Sequence, residues 1–294
     1  MIAFGGRIGL LALAVLFAVP AWAAERVITL APHLAELVVE AGAGDQLVGV
    51  IRYSDYPPQV TSLPVVGDAF NLNHEQILAL RPTRLLAWAG GTPEPEIRRL
   101  EALGLRVDAV DVRRLNDVAD ALRHIGRLLG TPTAAEAAAR SFAEQIESLR
   151  VVTEEPLRVY YQVSAVPLYS LNGEHAASDV IRLCGGRNIF ADAPVLAPQV
   201  SREAVLAERP DVILYSGEDG AAPWQPLLAD RQVLDATLAR ISPDLLARPG
   251  PRLAQGARAV CAVLARVKPA RSSPADSHPA PDDGRSRTAD RTGD

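Results

Sequence analysis

An enzyme of this size would show a nucleophile beside a base, a pair of carboxylates, or a cluster of metal ligands. The five histidines, His33, His74, His124, His175 and His278, stand singly, with no His-x-His or His-Glu-x-x-His spacing to put two ligands on one face. No Gly-x-Ser-x-Gly elbow and no Gly-x-x-x-x-Gly-Lys-Ser/Thr phosphate loop occurs. Gly90-Gly91 and Gly185-Gly186 follow a predicted strand and a predicted helix, where turns and C-caps belong. No catalytic residue and no metal ligand is assigned, which leaves binding as the chemistry to look for. Tyr53 and Trp88 stand at the carboxyl ends of predicted strands, where ligands of α/β sheets bind, and planar amphipathic side chains suit a large flat ligand. Trp88 reads equally well as a core residue. Tyr53, in the turn-rich Tyr53-Ser-Asp-Tyr-Pro-Pro58, does not.

The elements that must hold these residues alternate. Apolar, β-branched runs at Arg26 to Leu30, Leu47 to Ile51, Arg84 to Trp88 and Arg106 to Val110 predict buried strands, with helical patterns at Leu34 to Ala43 and Glu94 to Leu103 between them. A long helix is predicted from an N-cap at Thr133 to about Leu149, bridging two halves, and Pro156 forbids its continuation. Beyond it the alternation resumes: strands at Arg158 to Val163 and Val212 to Ser216, helices at about Ala176 to Cys184, Arg202 to Glu208 and Arg252 to Val267.

A repeat ties the halves together. Glu75-Gln-Ile-Leu-Ala-Leu-Arg-Pro82 recurs 128 residues later as Glu203-Ala-Val-Leu-Ala-Glu-Arg-Pro210; a strand follows each copy, and a capping residue, Asn73 or Ser201, stands two positions before each glutamate. This predicts an α/β fold of two pseudo-symmetric lobes with parallel sheets. Glu75 and Glu203 suit the positive end of a helix dipole; as equivalent points on equivalent lobes they also suit a two-fold partner presenting arginines.

The amino terminus has the order of a secretory signal: Arg7, an apolar run from Ile8 to Val19, then Ala21-Trp-Ala23 as cleavage site. No lipid-acceptor cysteine lies there, which predicts a free periplasmic protein, and no second apolar stretch predicts a membrane span. The formal net charge of -5, spread without a basic stripe, argues against a nucleic-acid partner. In an oxidising compartment Cys184 and Cys261 are either bridged or two buried thiols, and a bridge is favoured. The predicted division is signal 1–23, N-terminal lobe 24–131, interlobe helix 132–155, C-terminal lobe 156–267, and a Pro-, Ser-, Asp- and Arg-rich disordered tail 268–294.

Nearly the whole mature chain resembles the cobalamin-binding proteins of bacterial cobalamin ABC importers. The pieces that carry the resemblance are Arg26-Val-Ile-Thr-Leu30, Tyr53-Ser-Asp-Tyr-Pro-Pro58, Ala87-Trp88 with Gly90-Gly91, Cys184-Gly-Gly with Asn188-Ile-Phe190, Pro198-Gln-Val-Ser-Arg-Glu203, and Pro251-Arg252. The resemblance implies two lobes joined by one long rigid helix, a ligand held in the cleft between them, and a monomeric carrier that delivers a corrinoid to a permease dimer with its ATPase subunits. It implies Tyr53, Trp88 and Tyr169 as aromatic contacts, Asp244 and Arg248 as polar contacts, Glu75 and Glu203 as the permease-docking pair, and a Cys184–Cys261 disulfide. It also implies no catalysis and no cofactor beyond the transported corrinoid. The chain departs from the pattern at Ala69, with Phe70 beside it, and at Ala197, where cleft tryptophans are expected, and at Leu245 and Leu246, where aromatics are. A less aromatic cleft leaves haem or an iron siderophore as the alternative ligand, and Tyr53 as a candidate haem ligand.

Overall fold

A computed structural model describes residues 25–267 of the protein. The expected signal, the expected tail and His278 lie outside the described residues. The chain divides between Val110 and Asp111 into two compact units.

In the first unit the elements run β1 (Val27–Thr29), α1 (Pro32–Glu40), β2 (Leu47–Gly49), α2 (His74–Ala79), β3 (Arg84–Trp88), α3 (Glu94–Ala102) and β4 (Val107–Val110). The four strands form an all-parallel sheet in the order β2-β1-β3-β4. Ile28, Leu30, Ile51, Val66, Ile77, Leu85, Ala87 and Leu100 make its core. Strand β3 is apolar over consecutive residues because a parallel sheet is covered on both faces: Leu85, Leu86 and Ala87 are all fully buried.

The second unit runs α4 (Asp117–Leu128), α5 (Pro132–Glu147), β5 (Leu157–Gln162), β6 (Ser164–Ala165), β7 (Leu168–Tyr169), α6 (Ala176–Leu183), β8 (Gly186–Asn188), α7 (Arg202–Ala207), β9 (Val212–Tyr215), β10 (Thr237–Arg240), α8 (Pro243–Leu246) and α9 (Leu253–Leu264). Its parallel sheet has the order β10-β9-β5-β8, and β6 and β7 form a small antiparallel hairpin. Helix α5 buries Ala135, Ala139, Phe142 and Ile146, one stripe at helical spacing, and packs on α4 and α9. A Cβ on Gly126 would lie 2.2 Å from Ala135 Cβ, so glycine permits the close crossing of α4 and α5.

One expectation is corrected at the start of α5. The helix begins at Pro132 rather than after a cap at Thr133, and Thr131 occupies the cap position without a side-chain bond. Proline suits the first helical position, because the N–H it lacks would have no acceptor there.

The repeat is a repeat of structure. Counted in chain order within each sheet, both have the order second-first-third-fourth strand. Asn73 accepts a hydrogen bond from the Gln76 N–H and Ser201 from the Ala204 N–H, so both short helices are capped as expected. Two residues past each helix stands an arginine in the left-handed region, Arg81 at φ 47° and Arg209 at φ 46°, whose N–H reaches Leu78 O or Leu206 O at 3.0 Å. After each proline a side chain holds the strand next door: Thr83 Oγ1 accepts from the Arg26 N–H at 2.8 Å, and Asp211 Oδ2 from the Arg158 N–H at 2.7 Å. Cys184, at the end of α6, and Cys261, within α9, form a disulfide with Cα atoms 4.7 Å apart.

Candidate functional site

The residues singled out as ligand contacts fall in both units: Tyr53 after β2, Trp88 at the end of β3, Tyr169 at the end of the hairpin strand β7, and Asp244 and Arg248 after β10. In the first unit, Tyr53 follows β2 at φ 68°, and its side chain is 70% exposed. A β-substituted residue adopts that backbone at a cost of about 1 kcal/mol or more. A strained, solvated tyrosine is better explained by what it presents to solvent than by packing.

Trp88 ends β3 half-buried. Its ring lies over Gly91, where an added Cβ would fall 1.7 Å from the indole, and it meets His33 edge-on with centroids 5.0 Å apart at 84°. The Nε1–H is buried and has no hydrogen-bond partner among the described residues. Gly90-Gly91 thus serves as more than a turn, since the second glycine is the floor under the indole. The role of His33 as packing partner of Trp88 was not visible in the sequence, because it depends on β1 and β3 being neighbours.

In the second unit Tyr169 ends β7, half-buried, and bridges to Gln199. Asp244 and Arg248 are brought together at 2.7 Å, one helical turn apart, with side chains 35% and 19% exposed. Glycine again sets the position: a Cβ on Gly256 of α9 would lie 2.0 Å from Leu245 O, so α8 rests directly on the α9 backbone. His175 caps α6 by accepting from the Ala177 N–H at 3.1 Å. Burial pushes its pKa down to about 4, although a backbone bond to Ala247 and the Asp179 charge pull the other way.

Beneath this edge lies a buried polar network that carries no sequence signature. Trp224 Nε1 donates to Gln162 Oε1 at 2.6 Å, Gln162 Nε2 donates to Gly220 O at 2.8 Å, and Ser170 Oγ donates to Tyr161 O at 2.9 Å. The Tyr161 hydroxyl lies 3.3 Å from Ser216 Oγ, and burial raises its pKa to about 12. These groups satisfy one another and fix the loops after β5 and β9.

Glu75 and Glu203 occupy the first turns of α2 and α7, both exposed. The Glu203 carboxyl is held below the usual carboxylate range by its own backbone N–H and the Ser201 hydroxyl. Ala69 and Ala197 are exposed loop residues, and Phe70, beside Ala69, is 78% exposed. No group of three or more His, Cys, Asp or Glu suited to a metal ion is found among the described residues.

Residues 27–240 match the family model described as periplasmic binding protein. Among curated proteins the chain is 36% identical to a vitamin B12-binding protein of Pectobacterium atrosepticum, over 90% of this chain and 96% of the relative. Among solved structures it is similar to a periplasmic vitamin B12 binding protein of Vibrio cholerae, with TM-score 0.75 and 37% identity, covering 82% of this chain and 96% of that one. It is also similar to a periplasmic heme binding protein from Pseudomonas aeruginosa, with TM-score 0.69 and 28% identity, covering 84% of this chain and 95% of that one.

Proposed function

Because the chain belongs to the periplasmic binding protein family, we propose that it captures a corrinoid, cobalamin or a close relative, and hands it to the permease dimer and ATPase subunits of an ABC importer. The observation that carries this reading is the 36% identity to a vitamin B12-binding protein along nine-tenths of the chain. In this reading the chain is exported by a signal cleaved near Ala23, acts as a monomeric carrier and performs no catalysis. In this reading the division is 24–131, 132–155 and 156–267, the middle region containing α5, while α4 (Asp117–Leu128) groups with the second compact unit.

Each site residue has a physical part in this reading. Tyr53 offers a solvated ring and hydroxyl to a flat macrocycle, Tyr169 a half-buried second ring, and Trp88 the open part of an indole whose other part is packed in place. The Asp244–Arg248 pair presents a donor and an acceptor held together at 2.7 Å, suited to peripheral amides of a corrin ring. Glu75 and Glu203 are the acidic pair that meets the permease; their equivalence in the repeat suits a partner with two-fold symmetry.

Titration of the purified mature protein with cyanocobalamin in a calorimeter tests the proposal. Stoichiometric binding supports it, and absence of binding at tens of micromolar ligand refutes it. A second reading, haem capture, is favoured by the exposed Tyr53 phenol, a group able to ligate iron. Protein purified from its own periplasm separates the two, since corrinoid and haem differ in absorption spectrum.

A further inference from the structure

Strand β8 stands at the edge of its sheet, with β5 as its only neighbour in the order β10-β9-β5-β8. The Leu157 N–H donates to Gly185 O at 3.1 Å and the Ile189 N–H to Val159 O at 3.0 Å, so alternate groups of the strand face β5. The N–H groups of Gly186 and Asn188 fall between these and point to the open side, where they have no hydrogen-bond partner among the described residues. Both residues are buried, and a buried N–H without an acceptor costs free energy that a further strand would recover.

The first unit fills the equivalent lane with its own chain. Its edge strand β2 holds the same place in the sheet order, and just past it Val50 bridges Val65 in parallel. The Val50 N–H reaches Pro64 O at 3.0 Å, and the Val66 N–H reaches Val50 O at 2.8 Å. In the second unit no described segment pairs with the outer side of β8.

A recess of about 560 Å³ lies there instead, and Gly186 and Asn188 both line it. Three arginines from three segments surround it: Arg150 after α5, Arg182 on α6 and Arg187 on β8 itself, with Asp192 as the one carboxylate of the lining. The Arg187 guanidinium has no ion-pair or hydrogen-bond partner among the described residues. Arg182 shares the Asp179 carboxylate with Arg114, at 2.7 and 2.6 Å, so two cations stand on one anion. Only Arg150 has a carboxylate to itself, Glu147 at 2.8 Å. Val151 and Val152, 47% and 91% exposed, give the recess an apolar wall, fixed by the Val151 N–H to Leu183 O at 2.8 Å.

We infer that β8 accepts an extended acidic peptide segment of a partner protein, added as a further strand at this edge. Its carboxylates meet the three arginines and its apolar side chains meet Val151 and Val152. Main-chain bonds to Gly186 and Asn188 supply affinity, and alternate side chains supply selectivity. The arginines that attract an acidic strand also repel the same edge of a second copy, which is how a short edge strand avoids self-pairing. None of the ligand contacts assigned above lines this recess.

The test records amide NMR spectra of the isotope-labelled mature protein during titration with two capped pentapeptides, Val-Asp-Val-Asp-Val and Val-Lys-Val-Lys-Val, and with inorganic phosphate, which has charge but no backbone. The acidic peptide is expected to shift the Gly186 and Asn188 amides and slow their hydrogen exchange, with Kd about tenfold below that of the lysine peptide. Arg187→Glu, shown to be folded by thermal unfolding, should weaken the acidic peptide and tighten the lysine one. Equal affinity for the two peptides, the same changes with phosphate, or unmoved amides at millimolar peptide would each overturn the inference. So would shifts of these amides on diluting the free protein, which would give the lane to a second copy, or on truncation after Val267, which would give it to the chain's own C-terminal residues.

Discussion

Lowering the pH through the range of His175 should loosen the part of the second unit that carries Asp244 and Arg248. The ring is 7% exposed, caps α6 through Nδ1, and is bonded to the Ala247 backbone, so it links the start of α6 to the segment just after α8. Protonation would turn the capping acceptor into a donor and place a cation at the positive end of the helix. The folded pKa, about 4, lies below the ordinary value of 6.5, so between these values the unfolded chain binds more protons. The contribution to stability is therefore complete above about pH 6.5 and is lost as pH falls toward 4, by about 3 kcal/mol at about 1.4 kcal/mol per pH unit. Urea unfolding of wild type and His175→Asn at several pH values isolates the effect, since asparagine caps a helix without titrating. The stability difference should shift by about 3 kcal/mol in favour of the variant between pH 7 and pH 4. Corrinoid affinity should fall over the same range in the wild type and fall less in the variant. Parallel stability curves would refute the reasoning, as would an NMR titration placing the ring pKa near 6.5.

Replacing Cys184 and Cys261 together by alanine removes a cross-link spanning 77 residues, and chain entropy predicts a loss of about 4 kcal/mol, read from urea unfolding of both proteins under oxidising conditions. Gly256→Ala would raise helix propensity by about 1 kcal/mol in an unobstructed helix; here contact with Leu245 O reverses the sign, to a loss of about 1–3 kcal/mol, and displaces the Asp244–Arg248 pair, so both thermal stability and ligand affinity should fall. Charge reversal at Glu75 and Glu203 should abolish uptake by whole cells while leaving the calorimetric affinity of the purified protein unchanged; weakened binding would rule out a docking role.

The legibility of the chain follows the range of the interactions. Strands β1, β3, β5 and β9 could be read because a strand buried on both faces must be apolar throughout, and α2 and α7 because a cap, a short helix and an Arg-Pro turn are local features written twice. Strand β8, Gly-Arg-Asn, has no strand propensity and exists only because β5 offers it a ladder at the sheet edge. Likewise β10 is short and poorly buried, and pairs with β9 alone. The helix α4 carries an apolar stripe of Val118, Ala121, Leu122 and Ile125, but its partnership with α5 turns on the Gly126–Ala135 approach, which has no local signature.

The sequence by itself determined the two-fold plan, the placement of Tyr53 and Trp88 at strand ends, and the capped glutamates, because these depend on residues near one another in the chain. Only the tertiary structure decided that His33 and Gly91 hold the Trp88 indole, that Gly256 seats α8, and that Trp224 and Gln162 satisfy each other. The physical reason is close approach. A glycine under an indole or a buried amide opposite an indole N–H looks ordinary in a sequence, and acquires its role only when folding brings a neighbour within about 3 Å.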